Sequence, residues 1–180
     1  MVRPRLLIVA AIIVAAAVSR LIPHPPNLAS VTAVALFAGA YVQDRRLAFL
    51  IPLVALFLGD LILGFYGLPE MLIVYGSFAL IVCIGLWLKQ RRSALRIGGG
   101  SIASSVLFFV LTNFGTWAFS SIYPKTLAGL MACYIAAIPF FQNTIQGDLL
   151  YTLVLFGGFA LLERRFSRLR EPGPAGALAA

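Results

Sequence analysis

Charge is what this chain lacks most. Of its 180 residues only 11% are charged, with six acids in total. A water-soluble domain carries about 25% charged residues. With 61% hydrophobic residues and a mean hydropathy of +0.98, the chain cannot cover a folded surface with polar groups, so lipid must be part of its solvent. That excludes a cytosolic enzyme and a disordered tail protein. There is one histidine, and the two cysteines, Cys83 and Cys133, form no CxxC pair. Neither a zinc site nor a disulfide framework follows from so few ligands, and no metal or cofactor is expected. The one glycine run, Gly98-Gly99-Gly100, lacks the Gly-Lys-Ser/Thr that would make it a nucleotide-binding loop.

What is present is apolar runs of membrane length. A bilayer core of about 30 Å takes roughly 20 helical residues. Runs of that kind cover 6–22, 28–42, 47–65, 71–88 and 98–120, the last opening on the glycine hinge. The remaining stretch, 127–162, is long for one span and short for two. The net charge of +8 invites a nucleic-acid reading, but the basic residues sit in short knots between apolar runs. That is the pattern of membrane loops, not of a basic face, so no nucleic-acid partner is expected.

Charge placement decides the count. With the N-terminus in the cytoplasm, six spans put every basic residue except Arg20 and Lys125 inside. A seventh span would export Arg164, Arg165, Arg168 and Arg170 against the positive-inside rule. The sequence therefore predicts an all-α integral membrane protein of six transmembrane helices. Residues 127–138, stopped by Pro139, form a short outer or re-entrant helix, and span six starts near Asn143. Residues 1–170 make one transmembrane domain, and 171–180 (EPGPAGALAA) a disordered tail. The N-terminal run also has the look of a signal peptide, but Arg20 and Pro23 follow it at once, and the first span is kept.

Within the spans there are two acids, Asp60 and Asp148. A carboxylate at mid-helix costs about 2.5–3.5 kcal/mol on insertion scales, so each needs a reason. Asp60 lies late in span three, and Asp148 is expected early in span six. Asn113, Thr116 and Trp117 share a face of span five at helical spacing, as Thr144, Asp148 and Tyr151 do on span six. Tyr75 sits early in span four, and His24 and Asn27 in the outer loop PHPPN. The expected polar groups thus gather toward the outer side while the inner halves are apolar, which suits capture of a solute. Structural alternatives stand beside each. Asp60 can pair with Arg20 or Lys125, Asp148 can sit at a helix N-terminus, and Asn113 can join helices. His24 can be an ordinary loop residue.

The strings RLIPHPPNLASVTAVALFAGAY, GDLILGFYG and SSVLFFVLTNFGTWAFSSIYPKTLAGLMACYIAAIPFFQNTIQGDLLY resemble a bacterial family of transport proteins. That family is similar to the substrate-capture (S) components of energy-coupling factor (ECF) vitamin transporters. The resemblance implies a six-helix bundle in the bacterial inner membrane, both termini cytoplasmic, binding a small vitamin-like solute from the periplasmic side. It also implies a coupling subunit with ATPases, docked on a small-residue pair of the first helix that Ala11 and Ala15 match. A narrower likeness is to solitary cobalamin-capturing members, in which His24, Asp60 and Tyr75 have counterparts. Those members carry a cobalt-ligating cysteine where residues 65–74 here have none. The remaining expected contacts with the solute are Asn27, Asn113, Trp117 and Asp148. No catalytic constellation stands out, so an enzyme is not expected. The alternatives are a non-transporting membrane scaffold subunit and a membrane enzyme acting on a lipid or cofactor.

Overall fold

The computed structural model describes residues 4–21 and 31–170. His24, Asn27 and the tail expected to be disordered lie outside the described residues. Those described form helices joined by short connections, with no strand among them. In chain order they form α1 (Pro4–Val18), α2 (Val31–Tyr41), α3 (Arg45–Leu63), α4 (Leu68–Leu88), α5 (Ala94–Phe119), α6 (Leu127–Thr152) and α7 (Gly158–Arg165). A 3-10 turn, Ser19–Leu21, ends α1, a π-helical turn, Leu153–Gly157, joins α6 to α7, and a second 3-10 turn spans Ser167–Leu169.

Five helices are long and apolar enough to cross a membrane: Pro4–Leu21, Arg45–Leu63, Leu68–Leu88, Ala94–Phe119 and the continuous Leu127–Arg165. Backbone groups in lipid must be satisfied within the segment, which favours unbroken helix wherever the run is apolar. Their outward faces are covered with large apolar side chains such as Leu50, Phe57, Leu61, Leu72 and Leu153, each more than a third exposed. Such surface is what helices of membrane length turn toward lipid.

The eleven residues of α2 behave differently. From Ala33 to Ala38 each side chain is at most 3% exposed, and the helix packs against α1, α3, α4, α5 and α6. A helix apolar all round belongs at the centre of a bundle. Its closest neighbour is α4, where the Gly39 and Gly85 backbones touch. A Cβ added at Gly39 would lie 2.3 Å from the Val82 carbonyl oxygen and 2.8 Å from Gly85 Cα.

The far end of α2 is held by charge. Lys89 Nζ donates to the Val42 and Gln43 carbonyls, 3.0 Å each, just past the C-terminus of α2, where a cation offsets the helix dipole. Arg92 stacks on the Tyr41 ring at 4.5 Å. Arg5 pairs with Glu163 at 2.8 Å, donates to the Leu169 carbonyl and lies over the Phe159 ring. The first and last helices are thereby tied at one end of the bundle. Lys89→Met is expected to lower stability by about 1 kcal/mol, read as a fall of a few degrees in detergent melting.

Two expectations need correction. The helix does not stop at Pro139, which lies inside α6, so residues 127–138 are not a separate outer or re-entrant helix. A proline in a helix interior costs about 3 kcal/mol on propensity alone. Here packing on both sides of it outweighs that cost. Tyr134 and Phe141 flank the proline, and their rings stack on Phe109 of α5 at 5.6 and 4.3 Å. The Tyr134 hydroxyl also donates to the Val110 carbonyl at 2.7 Å. The glycine run is likewise no hinge. Ser93 caps α5, its Oγ accepting from Arg96 N–H at 3.3 Å, and residues 98–100 continue the helix.

Candidate functional site

Asp60 sits one turn before the end of α3, whose carbonyl there is taken by the N–H of Gly64 at 2.9 Å. Gly64 has φ +98°, the left-handed conformation that favours glycine and ends the helix. A carboxylate at this end meets the negative pole of the dipole, and Asp60 is only 2% exposed. Two neighbours offset that cost. The Tyr75 hydroxyl of α4 donates to Oδ2 at 2.9 Å, and Arg20, in the turn after α1, places Nη2 3.5 Å from Oδ1. Tyr66, in the α3–α4 connection, is pushed up to about 12 by burial and by the Asp60 charge, so it stays a neutral hydroxyl. The sequence placed Asp60 and Tyr75 in one layer; the structure hydrogen-bonds them. It also realises the Arg20 pairing, leaving Lys125 elsewhere.

Asp148 forms a second cluster, and its expected place is corrected. Because the helix runs unbroken over Leu127–Arg165, Asp148 falls near its middle, not at the start of a span. It does not interact with its own helix terminus. Its Oδ2 accepts from Ser105 Oγ of α5 at 2.6 Å, and the backbone N–H groups of Thr32 and Ala33, in the first turn of α2, face the carboxylate. Those are orphan donors of a helix start, and an acid side chain is their natural acceptor. The Thr32 hydroxyl, also buried, faces Asp148 as well. One turn further along α6, Thr152 pairs with Ser101 at 3.0 Å. Ser101, Ser104, Ser105 and Thr152 are all buried. Polar groups therefore reach mid-depth, deeper than the expected outer layer. These residues were not singled out in the sequence, although Ser101/Ser105 and Asp148/Thr152 both show the i, i+4 spacing of two rungs between antiparallel helices.

A hydrogen bond of 3.1 Å from Ser19 Oγ to the Tyr151 hydroxyl joins the two regions. Ser19 precedes Arg20 of the first cluster, and Tyr151 lies one turn beyond Asp148 in the second. The chain between Arg20 and Thr32 carries His24 and Asn27, whose positions lie outside the described residues.

Asn113 and Trp117 stand apart. Asn113 Nδ2 donates to its own helix at the Phe109 carbonyl, 2.8 Å. Trp117 Nε1 donates to the Pro124 carbonyl at 2.9 Å, and Lys125 Nζ reaches the Trp117 and Ser120 carbonyls. Trp117 thus closes the connection from α5 to α6. Cys133 is buried, its Sγ 3.4 Å from the Asn113 carbonyl oxygen, and Cys83 is exposed on the apolar face of α4. Among the described residues no three His, Cys, Asp or Glu side chains converge as a metal site would require.

Ala11 and Ala15 are exposed on α1. Beside them, a cleft of about 380 Å³ opens between α1 and α3, lined by Ala10, Val14, Ala17, Val54, Ala55 and Gly59 among others. It is almost wholly apolar, and its far end meets Arg20 and Asp60 through their chain neighbours Leu21 and Gly59.

These features define a class: an all-helical protein with membrane-length helices and ionised groups paired inside. Within it, the chain belongs to a family of unknown function (DUF6580), whose model matches residues 1–171. No curated protein and no solved structure matches it.

Proposed function

We propose that this protein captures or transports a small, vitamin-like solute, taking it from the periplasmic side of the bacterial inner membrane. In this reading α2 is the sixth pass, both termini are cytoplasmic, and the bundle is of the ECF S-component type. The observation that carries it is the Asp60–Tyr75–Arg20 cluster. It is a buried ion pair and hydrogen bond at the ends of membrane-length helices, and it adjoins the loop that bears His24 and Asn27. An ionisable group in a membrane helix is expensive and marks a functional site by default. Asp60 and Tyr75 bind the polar groups of the solute, with His24 and Asn27 as further contacts. Asp148 extends the polar lining, and Trp117 fixes the α5–α6 connection, while Asn113, bonded to its own helix, stands apart. The exposed Ala11 and Ala15 offer the close approach that a coupling subunit with ATPases would use.

Asp60→Asn keeps an acceptor for Tyr75 but removes the charge opposite Arg20. A hydrogen bond to a charged group contributes about 1.5–3 kcal/mol, so retention of the solute should fall about 10- to 100-fold. The check is mass spectrometry of small molecules released from protein purified in mild detergent, after an absorbance spectrum that would reveal a corrinoid. A solute retained equally by wild type and variant removes Asp60 from the site.

One observation favours a second reading, a non-transporting scaffold subunit. Both buried carboxylates already have internal partners, Asp60 with Tyr75 and Arg20, and Asp148 with Ser105. Protein that releases no compound, yet melts lower when Asp60 is replaced, would support it.

A further inference from the structure

Of the two acids inside the membrane-length helices, Asp60 has a cation opposite it, Arg20 at 3.5 Å. Asp148 has none among the described residues. It is 1% exposed, near the middle of the continuous Leu127–Arg165 helix. The groups that act on it are neutral: the hydroxyls of Ser105 and Thr32 and the N–H groups of Thr32 and Ala33. The elements packed against α6 are α5, α2 and the π-helical turn, and none turns a charged or titratable side chain toward it. On α6 itself Tyr151, three residues on, is bonded to Ser19. A charge buried in lipid is expensive unless something balances it.

Ser105 shows what can balance it. Its Oγ lies 2.6 Å from Asp148 Oδ2 and 3.1 Å from the Ser101 carbonyl oxygen, so one hydroxyl proton has two acceptors. With Asp148 ionised, that proton points to the carboxylate, and 2.6 Å suits a charge-assisted O–H···O bond. With Asp148 protonated, the carboxyl O–H donates to Ser105 Oγ, and the serine proton turns to the Ser101 carbonyl. Both states keep their hydrogen bonds, and no heavy atom moves between them. A metal cation fits less well. The N–H groups of Thr32 and Ala33 already face the carboxylate, and a helix start presents positive charge of its own.

We infer that Asp148 is a reversible proton-binding site inside the bundle. Its carboxylate takes a proton from water to become a carboxyl, and returns it by the reverse step. Acids of this kind are the elements from which proton relays in membrane proteins are built. The site concerns the protein alone and does not depend on the solute reading.

The test is infrared difference spectroscopy of the full chain in detergent, titrated from mildly alkaline to acidic pH. A protonated carboxyl is read by its C=O stretch. Wild type is expected to gain such a band reversibly, and Asp148→Asn should lack it while keeping the bands of the other acids. Ser105→Ala keeps the acid but removes the hydroxyl that receives its proton, so the same band should appear at a shifted frequency. Circular dichroism like that of wild type shows that each variant is folded, and Ser105→Ala carries the test if Asp148→Asn is not. The site is overturned if wild type and folded Asp148→Asn gain the same bands, or if Ser105→Ala leaves every band in place. A carboxyl band of Asp148 that is already complete at alkaline pH and never changes would overturn it as well.

Discussion

Gly39→Ala is expected to destabilise the bundle severely, although alanine is the better helix former. The new methyl would lie 2.3 Å from the Val82 carbonyl oxygen, 2.8 Å from Gly85 Cα and 2.9 Å from the Leu86 nitrogen. All three are backbone atoms, and no side-chain rotation relieves the clash. Gly85→Ala meets the same wall from the other side, 2.3 Å from the Leu36 carbonyl oxygen. Overpacking costs about 1–3 kcal/mol where side chains can yield, and more where they cannot. Each variant should therefore lose about 3 kcal/mol or more, and aggregate or melt well below wild type in detergent. Gly76→Ala and Gly98→Ala are the controls, because a Cβ there meets nothing within 4 Å. Those two should be neutral, or more stable by up to about 1 kcal/mol from helix propensity. If all four variants melt alike, the α2–α4 contact is not the close approach described.

Asp148→Leu is the second change with a large expected effect. It leaves the first N–H groups of α2 buried without their acceptor, while the Ser105 hydroxyl turns back to the Ser101 carbonyl, 3.1 Å away. At about 1–3 kcal/mol per abandoned donor, the total loss should be about 3–5 kcal/mol, similar to breaking a buried charged pair. Asp148→Asn keeps one acceptor oxygen and should lose about half as much. Thermal unfolding followed with a thiol-reactive dye reads this in a Cys83→Ala background, since Cys83 is exposed in the folded protein and Cys133 is buried until the bundle opens. The same variants separate the two roles available to Asp148. Full stability with lost solute retention would mean that it serves the ligand. Lost stability with proportionate loss of retention would mean that it holds α2 in place.

The class of the protein was legible at once, because lipid as solvent leaves its mark on composition. Five of the predicted runs coincide with α1 to α5 to within a few residues. The pairing of Asp60 with Tyr75 was approached through their common depth, and Arg20 was already one of two named partners for the acid. Other features escaped for identifiable reasons. Pro139 looks like a terminator because propensity is local, while the Phe109 platform that carries Tyr134 and Phe141 across it comes from another helix. The helix terminus offered as a structural alternative for Asp148 was its own, because α2, whose start it faces, is more than a hundred residues away in sequence. The two rungs, Ser101–Thr152 and Ser105–Asp148, were visible as spacing. A hydroxyl in a membrane helix bonds to its own backbone as readily as across an interface, so spacing alone could not single them out.

The sequence by itself determined that this chain has helices apolar enough to cross a membrane, where its first five helices run and which two acids need partners. Those properties depend on the cost of placing particular groups in lipid, and each residue carries that cost wherever it sits. Tertiary structure alone decided that the shortest apolar helix becomes the centre, that two glycines bring α2 and α4 into backbone contact, and that one buried acid closes the end of a remote helix. It also opened an apolar cleft between α1 and α3. These depend on which surfaces meet, and the distances between residues far apart in the chain appear only once the bundle has closed.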